Sequence, residues 1–447
     1  TVTIPGLDFS APFTVLANQG TRVRLPYEAM TLLSDQVDNR GIHITSQAPV
    51  TVYGLNYTPG SADSFLALPV SVLGTTYIVN GYHNGAGFSV KGSEFGLVAT
   101  LDNTRVTLTL PINQGSRLAN VPYEITLNRG QVYQLTRTEA NDTLDLSGSI
   151  ITSDKPIAVF GGHICTGVPA NGFCDHLVEQ LPSIDKWGRH FVTVPLATRP
   201  NGDIFRFVAS LDDTHIAING TQAVTLNRGQ IHERLITGAA QILADKPILV
   251  VQYATGSSYG STLSSTYPDP ADPFMMVITP YTRFTNHYIV TNPQAINLSF
   301  GGLHTHFLNI AAPVAAVGNI SLDGVLIPAS SFTAIGSSGY FGAQIQVAPG
   351  KHALIGSQPF GVYAYGWGFV VSYGHSGGMS FGSEVCEESL ELSQLERNRV
   401  SPPCCGTPKI NLWPIPPLPS ISSEPIPKQR ASRRMPAGKP GSATQER

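Results

Sequence analysis

Two cysteines and two histidines stand close together in this 447-residue sequence, as His163-Ile-Cys165 and Cys174-Asp-His176. Two thiolates and two imidazoles can complete a tetrahedral zinc site. The same cysteines, nine positions apart, can instead close a short loop as a disulfide, the form such a pair takes in a secreted β protein. His304-Thr-His306 can present two imidazoles on one strand face, since residues two apart share a face, but no third ligand lies near in sequence. Gly374-His-Ser-Gly-Gly378 meets the Gly-x-Ser-x-Gly nucleophile pattern. That pattern needs a sharp strand-to-helix turn, and the following Gly-Gly-Met-Ser-Phe-Gly reads as turn or strand, so Ser376 is not expected to be catalytic. Asp102, Asp212, Asp213 and Asp323 fall at hairpin turns, where a carboxylate bonds neighbouring backbone N–H groups; calcium binding is the alternative. Sequons occur at Asn56, Asn141, Asn219, Asn297 and Asn319, and they report glycosylation only in a eukaryotic secretory route. Neither a Gly-Lys-Ser/Thr phosphate loop nor a His-Glu-x-x-His pair is present. No catalytic residue, metal or cofactor is therefore expected.

The elements that must position these residues are strands. Charged residues make up 13% of the chain and Gly and Pro together number 78. Helix surfaces need more charge than that, whereas short strands need many turns. The net charge of −3 supplies no field to gather nucleic acid, and no apolar run approaches the ~18 residues of a membrane-spanning helix. Thr1 is preceded by no Met and no leader, so the sequence reads as a processed form or a fragment.

Internal repetition carries most of the information. Ile44-Thr-Ser-Gln-Ala-Pro-Val-Thr-Val-Tyr-Gly54 recurs from Ile151, from Ile242 and from Leu354, with Pro49, Pro156, Pro247 and Pro359 spaced 107, 91 and 112 residues apart. Leu127-Asn-Arg-Gly-Gln131 is repeated at Leu226-Asn-Arg-Gly-Gln230, and Leu101-Asp-Asn at Leu211-Asp-Asp and Leu322-Asp-Gly. Unit starts match as well, Pro69 leading to Tyr77, Pro182 to Phe191 and Pro280 to Tyr288. A propeller blade needs only about 40 to 45 residues, while a seven-strand sandwich uses about 100. The expectation is an all-β chain of tandem antiparallel β-sandwiches: an incomplete first unit at 1–65, further units at 66–177, 178–272 and 273–382, and a tail at 383–447. Thr1–Ile4 occupies the place of a second hairpin arm, so the opening strands of the first unit lie upstream or come from another segment. Ser383–Asn398 reads as a short Ser-capped helix. From Pro402 eleven prolines in 46 residues argue for a disordered tail, whose last 24 residues carry a local +4. Strands for the incomplete unit can come from the stretch after Gly378, of the same chain or a neighbour, or from an upstream region, and donation between copies would lead to self-assembly.

Cys165-Thr-Gly-Val-Pro, Cys174-Asp-His-Leu-Val-Glu-Gln-Leu-Pro182, Trp187-Gly188, Asp272-Pro-Phe-Met-Met276, Ser372-Tyr-Gly and Gly377-Gly-Met-Ser380 together resemble the N-terminal domain of the IgG Fc-binding family, over roughly residues 1–382. The resemblance implies a secreted, mucus-associated or cell-surface adhesion-like protein without catalytic activity. It favours the Cys165–Cys174 disulfide over zinc. It implies an extracellular protein or glycan ligand, without locating an Fc site. Two departures are the missing opening strands and the absence of von Willebrand type D modules, so cross-linking roles do not carry over. The class-level alternative is a secreted hydrolase or metal-dependent enzyme on a β scaffold. Convergent polar groups in a deep apolar pocket would favour that alternative, and a long shallow rod would favour binding.

Overall fold

The computed structural model describes residues 1–31, 33–58, 60–85, 92–137, 139, 144–169, 174–256, 259, 272–293, 302–368, 370–381 and the backbone of 409–412. The strands are β1 (Val2–Ile4), β2 (Phe9–Ala11), β3 (Gln36–Asp38), β4 (Ile42–Thr45), β5 (Tyr53–Thr58) and β6 (Ser61–Leu66), then β7 (Thr76–Ile78), β8 (Ser93–Ala99), β9 (Thr104–Thr109), β10 (Tyr123–Leu127), β11 (Val132–Thr136), β12 (Ile150–Ser153), β13 (Ile157–Thr166) and β14 (Asp175–Leu181). They continue with β15 (Gly188–Thr193), β16 (Asp203–Ala209), β17 (Thr214–Ile218), β18 (Thr221–Leu226), β19 (Ile231–Ile236), β20 (Ala240–Tyr253) and β21 (Met275–Val277). The last group is β22 (Thr285–Asn292), β23 (Leu303–Pro313), β24 (Ile320–Leu322), β25 (Val325–Leu326), β26 (Thr333–Ala334), β27 (Tyr340–Val347), β28 (Gly350–Gly368), β29 (Val371–Ser376) and β30 (Lys409–Leu412).

One topology recurs. The second unit pairs its strands as β10-β9-β12-β7 in an outer sheet and β14-β13-β8-β11 in an inner one. In the third unit the long β20 does the work of both β12 and β13, its first half pairing β15 and β17 and its second half β16 and β21. β28 does the same in the fourth unit, between β24 and β22 and then between β29 and β23. The chain is thus a set of tandem antiparallel sandwiches. In the first unit the outer sheet runs β2-β1-β4-β30 and the inner one holds only β5 and β6, while β3 adds to the edge of β11.

The repeated letters explain themselves at one corner of each unit. Asn103 and Asp213 sit at φ 52° and 53°, and Gly130 and Gly229 at 78° and 79°, so each hairpin turn and Gly turn is left-handed. Asp102 accepts from the Arg129 N–H and Asp212 from the Arg228 N–H, at 3.0 and 2.9 Å. The Asn128 and Asn227 side chains accept from the turn residues Asn103 and Asp213. Lys155 donates to the Asp102 and Asn103 carbonyls, and Lys246 to those of Asp212 and Asp213. The Asp-Asn, Asn-Arg-Gly and Asp-Lys-Pro motifs are therefore one hydrogen-bonded knot. Three of the four turn carboxylates, Asp102, Asp212 and Asp323, accept backbone N–H groups in this way, Asp323 from Ala353 and also from His352, whereas the Asp213 carboxylate faces Lys246 at 3.9 Å and His215 at 3.7 Å.

The sandwiches do not string out as a rod. Outer strands alternate, as in β9, where Val106 and Leu108 face inward and Arg105 is exposed. Inner strands such as β8 and β16 are buried at every residue, the mark of a sheet covered on both faces. One face of β8 and β13, with Phe95, Leu97 and Val159, belongs to the second unit's own core. The other face, with Val98, Ala158, Phe160 and Val178 of β14, packs on Val2, Ile4, Ile44 and Phe65 of the first unit. The third unit likewise sends Val251, Tyr253 and Met275 into the second unit's core, and the fourth sends Tyr365 and Trp367 into the third's. Ala62, Leu55 and Tyr57 of the first unit meet Leu303, Val371 and Tyr373 of the fourth. The four units close into a ring, because each apolar outer face needs a cover and its neighbour supplies one.

In the tail, the expected helix over Ser383–Asn398 lies outside the described residues, as do Cys386, Cys404 and Cys405. Lys409–Leu412 form a strand where the sequence suggested only disorder.

Candidate functional site

The cysteine–histidine cluster sits on the β13–β14 hairpin. Cys165 and Cys174 are disulfide-bonded, with Cα atoms 5.1 Å apart. Two sulfurs bonded to each other are not thiolate ligands. His163 is buried, its Nε2 2.9 Å from Asn84 Oδ1 while its Nδ1 accepts from the Cys165 N–H at 3.1 Å. His176 lies between the Ile164 carbonyl and the Asn56 amide, at 3.3 and 3.2 Å. Burial lowers the two imidazole pKa values to about 3 and about 4, so both rings are neutral and act as fixed hydrogen-bonding plates.

Ser376 ends β29, and the described residues behind it, Gly377–Phe381, are not helical. Its hydroxyl meets that of Thr279 at 3.0 Å. The adjacent His375 points to the opposite face of the strand, where Nδ1 lies 2.8 Å from the Ser64 hydroxyl. That Ser64–His375 pair, 311 residues apart in sequence, could not be read from spacing, and both members are buried beside Tyr53. His304 and His306 do not share a face. A bulge between Leu303 and Thr305 turns His304 outward, while His306 is buried with Nδ1 2.9 Å from the Tyr373 hydroxyl. Of the sequon asparagines, Asn219 and Asn319 are exposed and Asn56 is half-buried against His176. Asn141 and Asn297 lie outside the described residues.

The densest polar constellation is one that the motifs did not single out. The final strands of the four units, β6, β14, β21 and β29, meet around one axis, and Asp63 of β6 stands there fully buried. Its Oδ2 accepts from the N–H groups of Val178 on β14, at 3.0 Å, and Met275 on β21, at 3.2 Å. Oδ1 takes the Ser64 N–H at 2.7 Å, and the Gly374 N–H on β29 bonds the same carboxyl group. One side chain thus touches backbone from every unit. Burial pushes its pKa well above the usual carboxylate range, against the pull of those N–H bonds.

Each side of the ring has its own ties. Asp175 Oδ1 accepts from Ser61 Oγ and the Ala62 N–H at 2.5 and 2.8 Å, and Gln180 from the Leu68 N–H at 2.8 Å. Glu179 accepts from Val277 at 3.0 Å, and Ser372 donates to the Asp272 and Pro273 carbonyls. Between the second and third units, buried Arg206 reaches Asp145 at 2.7 Å, Glu233 at 2.8 Å and the Gly81 carbonyl at 3.0 Å, with its guanidinium over the Tyr82 ring. The sequence carried a signal for one of these residues: Arg206 interrupts the apolar run Ile204-Phe-Arg-Phe-Val-Ala209, and a charge inside such a run needs a partner, whereas Asp63 between Ser61 and Ser64 and Glu179 beside Gln180 stand among polar neighbours.

These groups satisfy buried backbone and so hold units together; the Ser64 hydroxyl does face the His375 imidazole, but burial lowers that ring's pKa to about 3, which makes it a poor base. A crevice lined by Pro182, Trp187, Phe191, Pro280 and Met379 has Lys186 as its charged residue.

Comparison with known proteins places the chain. A β-glucuronidase from Ruminococcus gnavus in complex with uronic isofagomine overlays with a TM-score of 0.11 and 9% identity, over 44% of this chain and 38% of that one. The same organism's enzyme with D-glucaro 1,5-lactone also gives 0.11 and 9%, over 42% and 34%. Overlays that weak carry no argument. The human IgGFc-binding protein is 26% identical over 381 residues, covering 81% of this chain. The chain spans only 6% of that relative's length. The IgGFc binding protein family matches residues 63–366, a span that opens on the axial Asp63 and contains both bonded cysteines and Arg206. With well over half of its residues inside that match, the chain belongs to the IgGFc binding protein family.

Proposed function

We propose that the chain is a non-enzymatic binding and structural module of a secreted or cell-surface protein, working in mucus or as an adhesion-like element. Its family membership carries this reading. Further support comes from the side chains that could have done chemistry. The cysteines are bonded to each other, Ser376 and His375 face apart, and the buried histidines are neutral. The ligand is an extracellular protein, with the Fc part of IgG as the first candidate from the relative's name, or a glycan. Exposed Asn219 and Asn319 are the proposed glycan acceptors. The division into units at 1–65, 66–177, 178–272 and 273–382 is part of the proposal, with the cuts moved to Pro69, Pro182 and Pro280 so that β6, β14 and β21 stay whole. Self-assembly by strand donation has a place to act at β5. That strand is half-exposed throughout, whereas its counterpart β13 is buried at nearly every residue.

The test is surface plasmon resonance with the immobilised chain against IgG Fc, Fab and a mucin glycoprotein before and after deglycosylation. Saturable binding to Fc but not Fab supports the protein-ligand reading, and binding abolished by deglycosylation supports the glycan one. Absence of binding to all of them, with turnover of a glycoside or ester substrate, would overturn both.

A further inference from the structure

The outer sheets of the second, third and fourth units each begin with a strand that pairs with one partner only, and the register is the same in all three. Tyr77 of β7 stands opposite Ile151, Phe191 of β15 opposite Ile242, and Tyr288 of β22 opposite Leu354. Those three partners are the residues that the repeat aligns with Ile44 of β4. Ile44 has its own partner across the ladder, Ile410 of β30, with Lys409 opposite Thr45 and Asn411 opposite His43. The hydrogen-bonding parity agrees as well. Thr45 exchanges both backbone bonds with Thr1, so by alternation Ile44 and Ile42 direct theirs at β30. In the second unit the Ser153 N–H bonds the Thr75 carbonyl, which puts Tyr77–Ile151 in the same bonded class. The sequence keeps the spacing too. Pro69 precedes Tyr77 by eight residues, Pro280 precedes Tyr288 by eight, Pro182 precedes Phe191 by nine, and Pro402 precedes Ile410 by eight.

We infer that the segment around Lys409–Leu412 is a displaced unit start, which the chain folds back onto its own first unit as the opening strand of that sheet, clasping the ring shut between its two ends.

Delivery favours the chain's own tail over that of a second copy. Met379 and Phe381 already pack on the first unit's core, and the Ser380 N–H is fixed to the Arg283 carbonyl at 2.8 Å. From Phe381 the 27 residues 382–408 reach at most ~90 Å, ample for a neighbouring edge. A tethered strand acts at an effective concentration on the order of millimolar, far above a second copy at micromolar. Pro408 and Pro414 bracket the segment, and a proline donates nothing to a ladder, so the strand is short and suited to a sheet edge. The clasp fills one opening position only. The next inner strand would begin some ten to fifteen residues later, where Pro425 and Pro427 argue against a strand bonded on both sides.

The test uses the full chain with Cys386, Cys404 and Cys405 changed to Ser and with Thr45→Cys and Lys409→Cys added. These two positions are a non-hydrogen-bonded pair, the geometry with the closest Cα atoms. The expected result is that the two introduced thiols are joined within one chain, read from a non-reduced digest. A bond between two copies, or none, overturns the inference. In a second arm, residue-resolved hydrogen exchange is followed in Ile410→Pro, which removes one ladder donor. The Ile42 and Ile44 amides are expected to exchange at least tenfold faster while His43 and Thr45, bonded to β1, stay protected. An added peptide of residues 400–415 should restore protection. Unchanged exchange at Ile42 and Ile44 overturns the clasp even if the chain is monomeric.

Discussion

Replacing Asp63 with Ala removes the one acceptor that reaches backbone on all four units. Four N–H groups lose their partner, those on Ser64, Val178 and Met275 at 2.7, 3.0 and 3.2 Å and that on Gly374. A buried donor left unsatisfied costs about 1–3 kcal/mol, so the four together cost about 4–12 kcal/mol. Part of that returns, because a carboxylate whose pKa burial has raised was itself costly to bury. The expected net loss is therefore about 3–5 kcal/mol, a large share of the roughly 5–15 kcal/mol that stabilises a typical domain. Asp63→Asn keeps the size but turns an NH2 toward donors, and it should lose at least half as much. The control is Asp102→Ala. Asp102 is exposed and also accepts a backbone N–H, so its loss should stay under about 1 kcal/mol. Urea unfolding followed by the fluorescence of buried Trp187 and Trp367 measures all three. If Asp63→Ala unfolds within about 1 kcal/mol of the parent, or no lower than Asp102→Ala, the axial carboxylate does not join the units as argued.

Burial raises Glu94 to about 8 and Asp203 to about 7, so the native state keeps protons there that the unfolded chain releases near pH ~4, and this contribution to stability falls as pH rises from about 4 to about 8. Below about 6.5 the buried neutral histidines at 163, 176, 306 and 375 act in the opposite sense, since unfolding lets them take up protons. Glu94→Gln should flatten the fall of melting temperature with pH, most visibly above pH ~6.5, where the histidines no longer oppose it. Arg206→Met leaves Asp145 buried without its cation and should cost about 3–5 kcal/mol by urea titration, part of it recovered in Arg206→Met with Asp145→Asn. Cys165→Ser with Cys174→Ser opens a short loop and should cost about 2–3 kcal/mol, while reductant should raise the parent's intact mass by two hydrogens.

What could be read in advance followed the range of the forces involved. The Asp-Asn turn, the Asn-Arg-Gly turn and the Asp-Lys-Pro strand start repeat as letters because their hydrogen bonds are local or span a few tens of residues, and each copy must satisfy them within its own unit. The ring was not legible. Its ties join residues far apart, Asp63 to Met275 or Ser64 to Gly374, and each unit contributes a different residue type at the axis. A physical hint was nonetheless present. Phe95-Gly-Leu-Val-Ala99 and Phe205-Arg-Phe-Val-Ala209 are almost unbroken apolar runs, and a strand in a solitary sandwich, wet on one face, would alternate. His304 and His306 misled because a single bulge reverses facing, which no count of residues reveals.

Closing the ring decides where recognition can occur. Both faces of each complete inner sheet are engaged, one in its own core and one in the neighbour's, so the open backbone edges lie on the outer sheets at β2, β10, β18 and β25. The opposite ends of these sheets, β30, β7, β15 and β22, are edge strands too. Such edges invite unwanted pairing, and at β10, β18 and β25 each complete unit blunts its own in a different way. β10 carries exposed Glu124, with Arg117 4.1 Å over the Tyr123 ring beside it; β18 slips register against β17 between Ile216 and Ala217; β25 is only two residues long. The corresponding outer surfaces differ in kind. The second unit offers charge and an aromatic ring, the third Thr221 and Gln222, and the fourth exposed aliphatics at Val325, Leu326 and Ile355. Buried carboxylates and shared cores fix the interior, since a change there leaves donors unpaired in more than one unit. An outer edge is bonded on one side only, so its side chains can change at small cost to the ring, and the second, third and fourth units differ in chemical kind there.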